Sequence, residues 1–214
     1  MCATSKQPRR TICLTSYHPG QHSADPLDTI KIWEACHATL ATTSFFNPIC
    51  IGPLEEFVDG PLEANNPVYA LWTQAENVWG GQLRGRLHCL VSIGTGVPTP
   101  IPTRDVGIWA TLKALATETA RIAEQFRHDR SSLDDDERYY RFNVDRGLEN
   151  IGLEESKNRE KIAAAVARYI ASGAVSKQLR ACASCYAATC QSQGTSGLEE
   201  SPRMASRESR ICWA

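Results

Sequence analysis

The apolar run from Leu87 to Ile93 limits the fold of this chain more than any other segment. It holds a single histidine and a single serine, and it ends in Gly94-Thr95-Gly96. A short continuous apolar run that ends at glycine is typical of a strand buried on both faces. Strands of this kind occur in parallel sheets that carry helices on both sides. The run therefore predicts an α/β architecture.

The segments around this strand alternate between strand and helix patterns. Strand patterns cover Thr11–Tyr17 and Arg138–Val144. Apolar residues recur at helical spacing in four segments, residues 32–43, 68–79, 108–126 and 162–170. The second of these follows Asn65-Asn66-Pro67, a helix-start signal, and it stops at Gly80-Gly81. Such alternation favours a mostly parallel sheet.

The last part of the chain has a different composition. From Gly173 to Ala214 the branched aliphatic residues are Val175, Leu179, Leu198 and Ile211. So little apolar surface cannot offset the entropy lost on ordering the segment. We therefore expect residues 1–172 to form the folded domain. Residues 173–214 are expected to form a disordered, low-complexity tail, apart from any helix that runs into its first residues.

Charge and hydropathy exclude several classes of protein. The chain carries 23 Lys and Arg residues against 24 Asp and Glu, so bulk charge gives no reason to expect a nucleic-acid partner. No stretch approaches the roughly 20 apolar residues that span a bilayer, so no transmembrane segment is expected. Residues 1–10 are polar and lack the apolar core of a signal peptide. These features favour a cytoplasmic location.

The chain has nine cysteines, an odd number without a secretory signal, so a disulfide framework is not expected. Four of them lie in apolar stretches, and we interpret them as small buried hydrophobic residues in a reducing cytosol: Cys13, Cys36, Cys50 and Cys89. The spacing Cys182-x2-Cys185-x4-Cys190 is compatible with metal binding or oxidation. However, no second Cys-x2-Cys pair follows at zinc spacing, which favours an unstructured segment.

Asp59 follows a short apolar strand pattern and precedes Gly60. A carboxylate at the point where a strand opens into a loop occupies a place where α/β enzymes carry catalytic groups. An Asp-Gly pair also forms ordinary turns in which the aspartate binds its own backbone. The local pattern leaves both interpretations open.

A series of motifs resembles the C-terminal half of patatin-like phospholipase domains, and the fungal versions are the most similar. The resemblance runs from about Cys2 to Ile170 and includes residues 138–144. The motifs follow one another in the expected order: Trp33-Glu34-Ala35-Cys36-His37-Ala38-Thr39, Phe45-Phe46-Asn47-Pro48, Val58-Asp59-Gly60, Asn65-Asn66-Pro67 and Ser92-Ile93-Gly94-Thr95-Gly96.

The resemblance implies a serine acyl hydrolase with a three-layer α/β fold and a Ser–Asp dyad without histidine. Asp59 would be the proton acceptor and Gly60 the motif glycine. The expected substrate is a phospholipid or other acylglyceride at a membrane surface, which would place the protein at the membrane periphery. The resemblance implies no metal and no cofactor.

Two departures from the family pattern affect activity. The motif reads Asp59-Gly60-Pro61 in place of Asp-Gly-Gly or Asp-Gly-Ala, and Pro61 lacks a backbone N–H. The 214 residues also contain no Gly-x-Ser-x-Gly elbow, which carries the family's nucleophile. We therefore expect the chain alone to be inactive, with the nucleophile in a missing N-terminal half or a partner chain. The alternative is an inactive fragment, or a signalling or binding module, derived from a multidomain patatin-like protein.

Overall fold

The computed structural model describes residues 1–6, 9–15, 17, 30–41, 46–52, 55–58, 65–97, 106–148, 151, 156–193 and 210–213. The chain divides into two compact units, Met1–Gly80 and Gly81–Ala214. Each unit contains both helices and strands, so the predicted mixed α/β class is confirmed.

The first unit contains a four-stranded sheet and two helices. Its elements are β1 (Cys2–Lys6), β2 (Arg9–Cys13), α1 (Ile32–Leu40), β3 (Ile49–Ile51), β4 (Glu55–Val58) and α2 (Val68–Trp79). The strand order is β2-β1-β4-β3, and all three pairings are antiparallel.

The prediction of a mostly parallel sheet is wrong for this unit. Residues 7–8 alone separate β1 from β2, and residues 52–54 separate β3 from β4. Connections this short reverse the chain direction, whereas a parallel pair needs a crossover of a dozen or more residues. Loop length therefore makes both pairs antiparallel. The strand β1 itself was not predicted.

One face of this sheet carries the apolar core of the first unit. Phe57 of β4 and Ala3 of β1 are fully buried there, and Ala38 of α1 packs with them. The remaining buried members of the cluster are Leu14, Ala35, Ile49 and Ile51. Helix α1 contacts three of the strands, so it covers this face of the sheet.

Helix α2 begins as its sequence predicts. Val68 is its first residue and follows Pro67, and the backbone N–H of Val68 donates to Oδ1 of Asn66 at 3.3 Å. That bond gives a partner to one of the amides that a helix start leaves unpaired. At the other end Gly80 takes a positive φ of 53°, which favours glycine. The helix therefore stops at Trp79.

The second unit is built on a parallel sheet. Its elements are α3 (Leu83–Arg86), β5 (Leu87–Ile93), α4 (Val106–Asp129), α5 (Ser131–Asp135), β6 (Tyr139–Phe142), α6 (Arg159–Ala171), α7 (Gly173–Gln193) and β7 (Arg210–Trp213). The order is β6-β5-β7 with both pairings parallel. Five residues of the central strand β5 are buried: Leu87, Cys89, Leu90, Val91 and Ser92. The predicted doubly buried strand is confirmed.

The predicted disordered tail differs from the structure in its first half. Residues Gly173–Gln193 form α7, which contacts α6, β5 and β6. The segment is rich in alanine, which has the highest helix propensity, and its small side chains let the helix approach the sheet closely. The number of branched aliphatic residues reflects neither the helix propensity of alanine nor the close packing of small side chains. Residues 194–209 lie outside the described part of the chain.

The predicted boundary after residue 172 lies inside the second unit. Helix α6 ends at Ala171, and Ser172 has extended backbone angles before α7 begins. The Ser172 carbonyl then accepts from the N–H of Ser176 at 2.8 Å, within the first turn of α7. Ser172 thus separates two consecutive helices. None of the helices among the described residues is both long enough and apolar enough to cross a membrane.

Candidate functional site

Strand β4 leads directly to the predicted catalytic residues. Phe57 is fully buried in the antiparallel sheet, and Val58 is the last residue of the strand. Asp59 and Gly60 come next in the chain and lie outside the described residues. The role of Asp59 as proton acceptor therefore stays a prediction.

The other motif with a candidate role lies where β5 and β6 end. Because the two strands are parallel, their carboxyl ends meet at one edge of the sheet, where α/β folds bind ligands. Ser92 is paired in register with Arg141. The Arg141 Nη1 donates to Ser92 Oγ at 2.6 Å. A cationic side chain is therefore fixed at this edge.

Two glycines allow the loop after β5 to lie against β6. A Cβ on Gly94 would lie 2.0 Å from Oδ1 of Asn143 and 2.7 Å from Nη2 of Arg141. Gly96 has a φ of +97°, and its N–H donates to Oδ1 of Asn143 at 2.9 Å. The N–H groups of Gly94 and Val97 donate to carbonyls of the segment 142–144 at 2.7 and 3.0 Å. These three amides are thus bonded to oxygens of residues 142–144 and are not available to a phosphate.

Helix α6 is also hydrogen-bonded to this region. The backbone N–H of Asn143 donates to the hydroxyl oxygen of Tyr169 at 3.1 Å. Asn143 therefore connects the loop after β5, through its side chain, with α6, through its backbone.

Arg141 provides the positive charge of this site. Burial lowers the pKa of its guanidinium, while the neighbouring Tyr139 and Tyr169 act in the opposite direction. Arginine stays protonated in proteins, because its ordinary pKa exceeds 12. Within the described residues, no carboxylate lies within ion-pair distance of Arg141. The geometry therefore suits an anionic group near the strand ends.

Ser92 cannot replace the nucleophile that the sequence lacks. Its side chain is fully buried, and its Oγ accepts a hydrogen bond from a cation. A nucleophilic serine needs instead a base that removes its proton and an open path to the substrate. The role of Ser92 is to hold Arg141.

A group of three thiols lies in the same unit and was missed by sequence reasoning. Cys182 and Cys185 of α7 pack against buried Cys89 of β5. Burial, followed by the neighbouring Cys185 and Cys182, raises the pKa of Cys89 to about 12, and the Cys185 thiol donates to the His88 carbonyl at 3.1 Å. Burial also raises the pKa of Cys182.

These thiols are not arranged as a metal site. In the part of the chain that the structure describes, no three or more His, Cys, Asp or Glu side chains are placed to hold a metal ion. Raised thiol pKa values also disfavour the thiolate form that metals bind. The side chain of Cys190 lies outside the described part. The signal that could have found the group is the three-residue spacing of Cys182 and Cys185, which places both on one helix face.

No family model matches the chain, and no curated protein matches it either. The resemblance to patatin-like phospholipase domains is therefore carried by the motifs alone.

Proposed function

We propose that the chain is the C-terminal portion of a patatin-like phospholipase domain and belongs to a serine acyl hydrolase that acts on lipid esters. The observation that carries the proposal is the ordered series of motifs from Trp33 to Gly96, in which Val58-Asp59-Gly60 precedes Ser92-Ile93-Gly94-Thr95-Gly96. In this proposal the domain adopts the three-layer fold of the family.

Two structural features support the proposal. Strand β4 ends at Val58, so Asp59 directly follows a strand in the chain. The motif at residues 92–96 closes the parallel pair of β5 and β6 at its carboxyl edge. Catalytic groups of α/β enzymes are commonly carried by loops at such strand ends. The antiparallel pairing in the first unit is a departure from a mostly parallel sheet.

The proposed chemistry requires a serine from outside these residues. Asp59 would take the proton of that serine as its oxygen attacks the ester carbonyl, and backbone amides would stabilise the oxyanion. The 214 residues hold no Gly-x-Ser-x-Gly, and Ser92 is buried and bonded to Arg141. These residues alone should therefore not hydrolyse esters.

The test begins with the endogenous protein. An antibody against residues 30–130 captures it, and its intact mass is measured before and after treatment with a fluorophosphonate, which labels activated serines. We expect a labelled species heavier than 23.6 kDa, and no label on the recombinant 214-residue chain.

In that longer species Asp59→Asn should lower ester hydrolysis by about 10²-fold or more, because a general base contributes about that much. Asp135→Asn, at an exposed carboxylate in α5, is the matched control and should leave the rate unchanged. An unlabelled species of 23.6 kDa as the sole product, or full activity in Asp59→Asn, would overturn the proposal.

The absence of a nucleophile within these residues favours a second candidate, a binding module for anionic lipid headgroups. Arg141 would then supply the charge at the strand ends. Cosedimentation of the recombinant chain with phosphatidylcholine vesicles, with and without phosphatidic acid, tests this candidate. Binding that needs phosphatidic acid and is lost in Arg141→Met, but kept in exposed Arg146→Met, would support it. Equal binding of both variants would exclude it.

A further inference from the structure

Cys2 and Cys13 face each other across the antiparallel pair β1 and β2. They are paired in register, and their Sγ atoms are 4.0 Å apart. Both side chains are partly buried. Two cysteines that face each other on adjacent antiparallel strands are close enough to react with each other.

The neighbouring backbone hydrogen bonds show which type of antiparallel pair Cys2 and Cys13 form. Met1 and Leu14, the next pair in register, exchange both bonds: the Met1 nitrogen donates to the Leu14 carbonyl at 2.8 Å, and Leu14 N–H to the Met1 carbonyl at 2.7 Å. Hydrogen-bonded and non-hydrogen-bonded pairs alternate along an antiparallel ladder. Cys2 and Cys13 are therefore a non-hydrogen-bonded pair, in which the side chains approach most closely.

This geometry is compatible with a disulfide. The Cα atoms of a non-hydrogen-bonded pair lie about 4.5 Å apart, within the range of about 4.4–6.8 Å found in disulfides. Rotation of the two side chains can bring the sulfurs from 4.0 Å to the bonding distance of about 2.05 Å. No change of strand register is needed.

The pKa values of the two thiols are shifted in opposite directions. The hydrogen bond between the two thiols lowers the pKa of Cys13 to about 6, the Gln74 side chain adds to this effect, and burial opposes it. Tyr17 donates to Gln74 Oε1 at 3.4 Å, which leaves the amide nitrogen of Gln74 for Cys13. The same hydrogen bond and partial burial raise the pKa of Cys2.

We propose that Cys2 and Cys13 form a dithiol–disulfide exchange site that reacts with small soluble disulfides, with Cys13 as the attacking thiol. The Cys13 thiolate attacks one sulfur of the soluble disulfide, which forms a mixed disulfide and releases one thiolate. Cys2 then gives up its proton and attacks the Cys13 sulfur, which releases the second thiolate. The protein dithiol loses two electrons, and the soluble disulfide becomes two thiols.

Two other described cysteines differ from this pair. Cys50 is exposed on β3, but Glu56 lies opposite it on β4. Cys89 is fully buried. The proposal concerns the first unit and is independent of the proposed hydrolase, because neither Asp59 nor the strand-end loop takes part.

The test uses the full chain in its reduced form, incubated with glutathione disulfide without oxygen, quenched in acid and mapped by mass spectrometry. We expect the loss of two hydrogens and a Cys2–Cys13 cross-linked peptide. Cys2→Ser should stop at a glutathione adduct on Cys13, since the resolving thiol is gone. Cys50→Ser is the matched control and should form the cross-link at the wild-type rate.

A second measurement does not depend on disulfide closure. A Cys13 pKa of about 6 predicts that its alkylation by iodoacetamide at pH 6 is about ten times faster than that of an ordinary thiol of pKa about 8.5, after allowance for its weaker nucleophilicity. Circular dichroism shows whether each variant is folded. Adducts spread evenly over the exposed cysteines, or alkylation of Cys13 with a midpoint near pH 8.5, would overturn the proposal.

Discussion

Arg141 donates from Nη1 to Ser92 Oγ at 2.6 Å across two parallel strands, and the acceptor is fully buried. The bond joins a residue of the apolar strand β5 with the side chain that carries the charge of the strand-end site. It explains why a hydroxyl is tolerated within the apolar run, since a buried polar group without a partner is costly.

Removal of either partner of this bond should destabilise the second unit. Arg141→Met leaves the buried Ser92 hydroxyl without its donor, and we expect the free energy of unfolding to fall by about 1–3 kcal/mol. Urea unfolding followed by circular dichroism measures the change. The exposed Arg146→Met, five positions later, should change it by less than about 0.5 kcal/mol.

A double-mutant cycle isolates the bond itself. Ser92→Ala and the double variant with Arg141→Met complete the cycle. The coupling energy should be about 1.5–3 kcal/mol, as for hydrogen bonds to charged groups. A coupling near zero would show that the two residues are stabilised by other contacts.

Gly94→Ala and Gly85→Ala should have opposite effects on stability. A Cβ on Gly94 would lie 2.0 Å from Asn143 Oδ1 and 2.6 Å from its Cγ, so Asn143 must move and its bond to Gly96 must weaken. We expect a loss of about 1–3 kcal/mol. Gly85 lies in α3 with nothing within 4 Å of an added Cβ, so alanine there should stabilise by about 0.5–1 kcal/mol. Equal midpoints in urea would contradict the described packing.

Tyr169→Phe tests the attachment of α6 to the strand ends. It removes the hydroxyl oxygen that accepts from the Asn143 N–H at 3.1 Å and keeps the ring in place. The loss of that acceptor should cost about 1–2 kcal/mol, and the Asn143 amide should exchange with solvent faster in hydrogen-exchange NMR. Tyr186→Phe, at a half-exposed tyrosine of α7, should change neither quantity. Unchanged protection of the Asn143 amide in Tyr169→Phe would argue against the bond.

The sequence predicts best where one local signal decides the structure. The apolar run at residues 87–93 predicted a doubly buried strand, because such a run cannot have a solvent-facing side. The start of α2 was predicted within one residue from Asn66 and Pro67, because capping acts through neighbouring backbone amides. The pairing direction of the first sheet depends on the lengths of the loops, which the strand patterns alone do not show.

Contacts between distant segments were harder to predict. Cys89 and Cys185 are 96 positions apart, and their approach depends on a helix that apolar content did not indicate. Alanine favours a helix through its propensity and not through the surface it buries. The contact between Arg141 and Ser92 was equally hard to predict, because the sequence pattern of neither strand shows that the two strands are paired.

The last prediction concerns the alkaline stability of the second unit, in which Cys89 faces the thiols of Cys182 and Cys185. Burial and these neighbours raise the pKa of Cys89 to about 12 from an ordinary value of 9.0. Between these values the unfolded chain loses the thiol proton and the folded chain keeps it. The contribution of the Cys89 thiol to stability is therefore fully present below pH 9. As the pH rises further, the fall in the free energy of unfolding should approach about 1.4 kcal/mol per pH unit.

Urea unfolding at steps from pH 8 to pH 10 checks this slope before most tyrosines titrate. Cys89→Ala should make the slope shallower, because alanine has no proton to lose, and the raised pKa of Cys182 should keep the slope from vanishing. Val91→Ala is the matched control: it also truncates a buried side chain of β5, so it should lower stability at every pH and keep the wild-type slope. If Cys89→Ala lowered stability by the same amount at every pH, the thiol would contribute through packing alone and its raised pKa would be refuted.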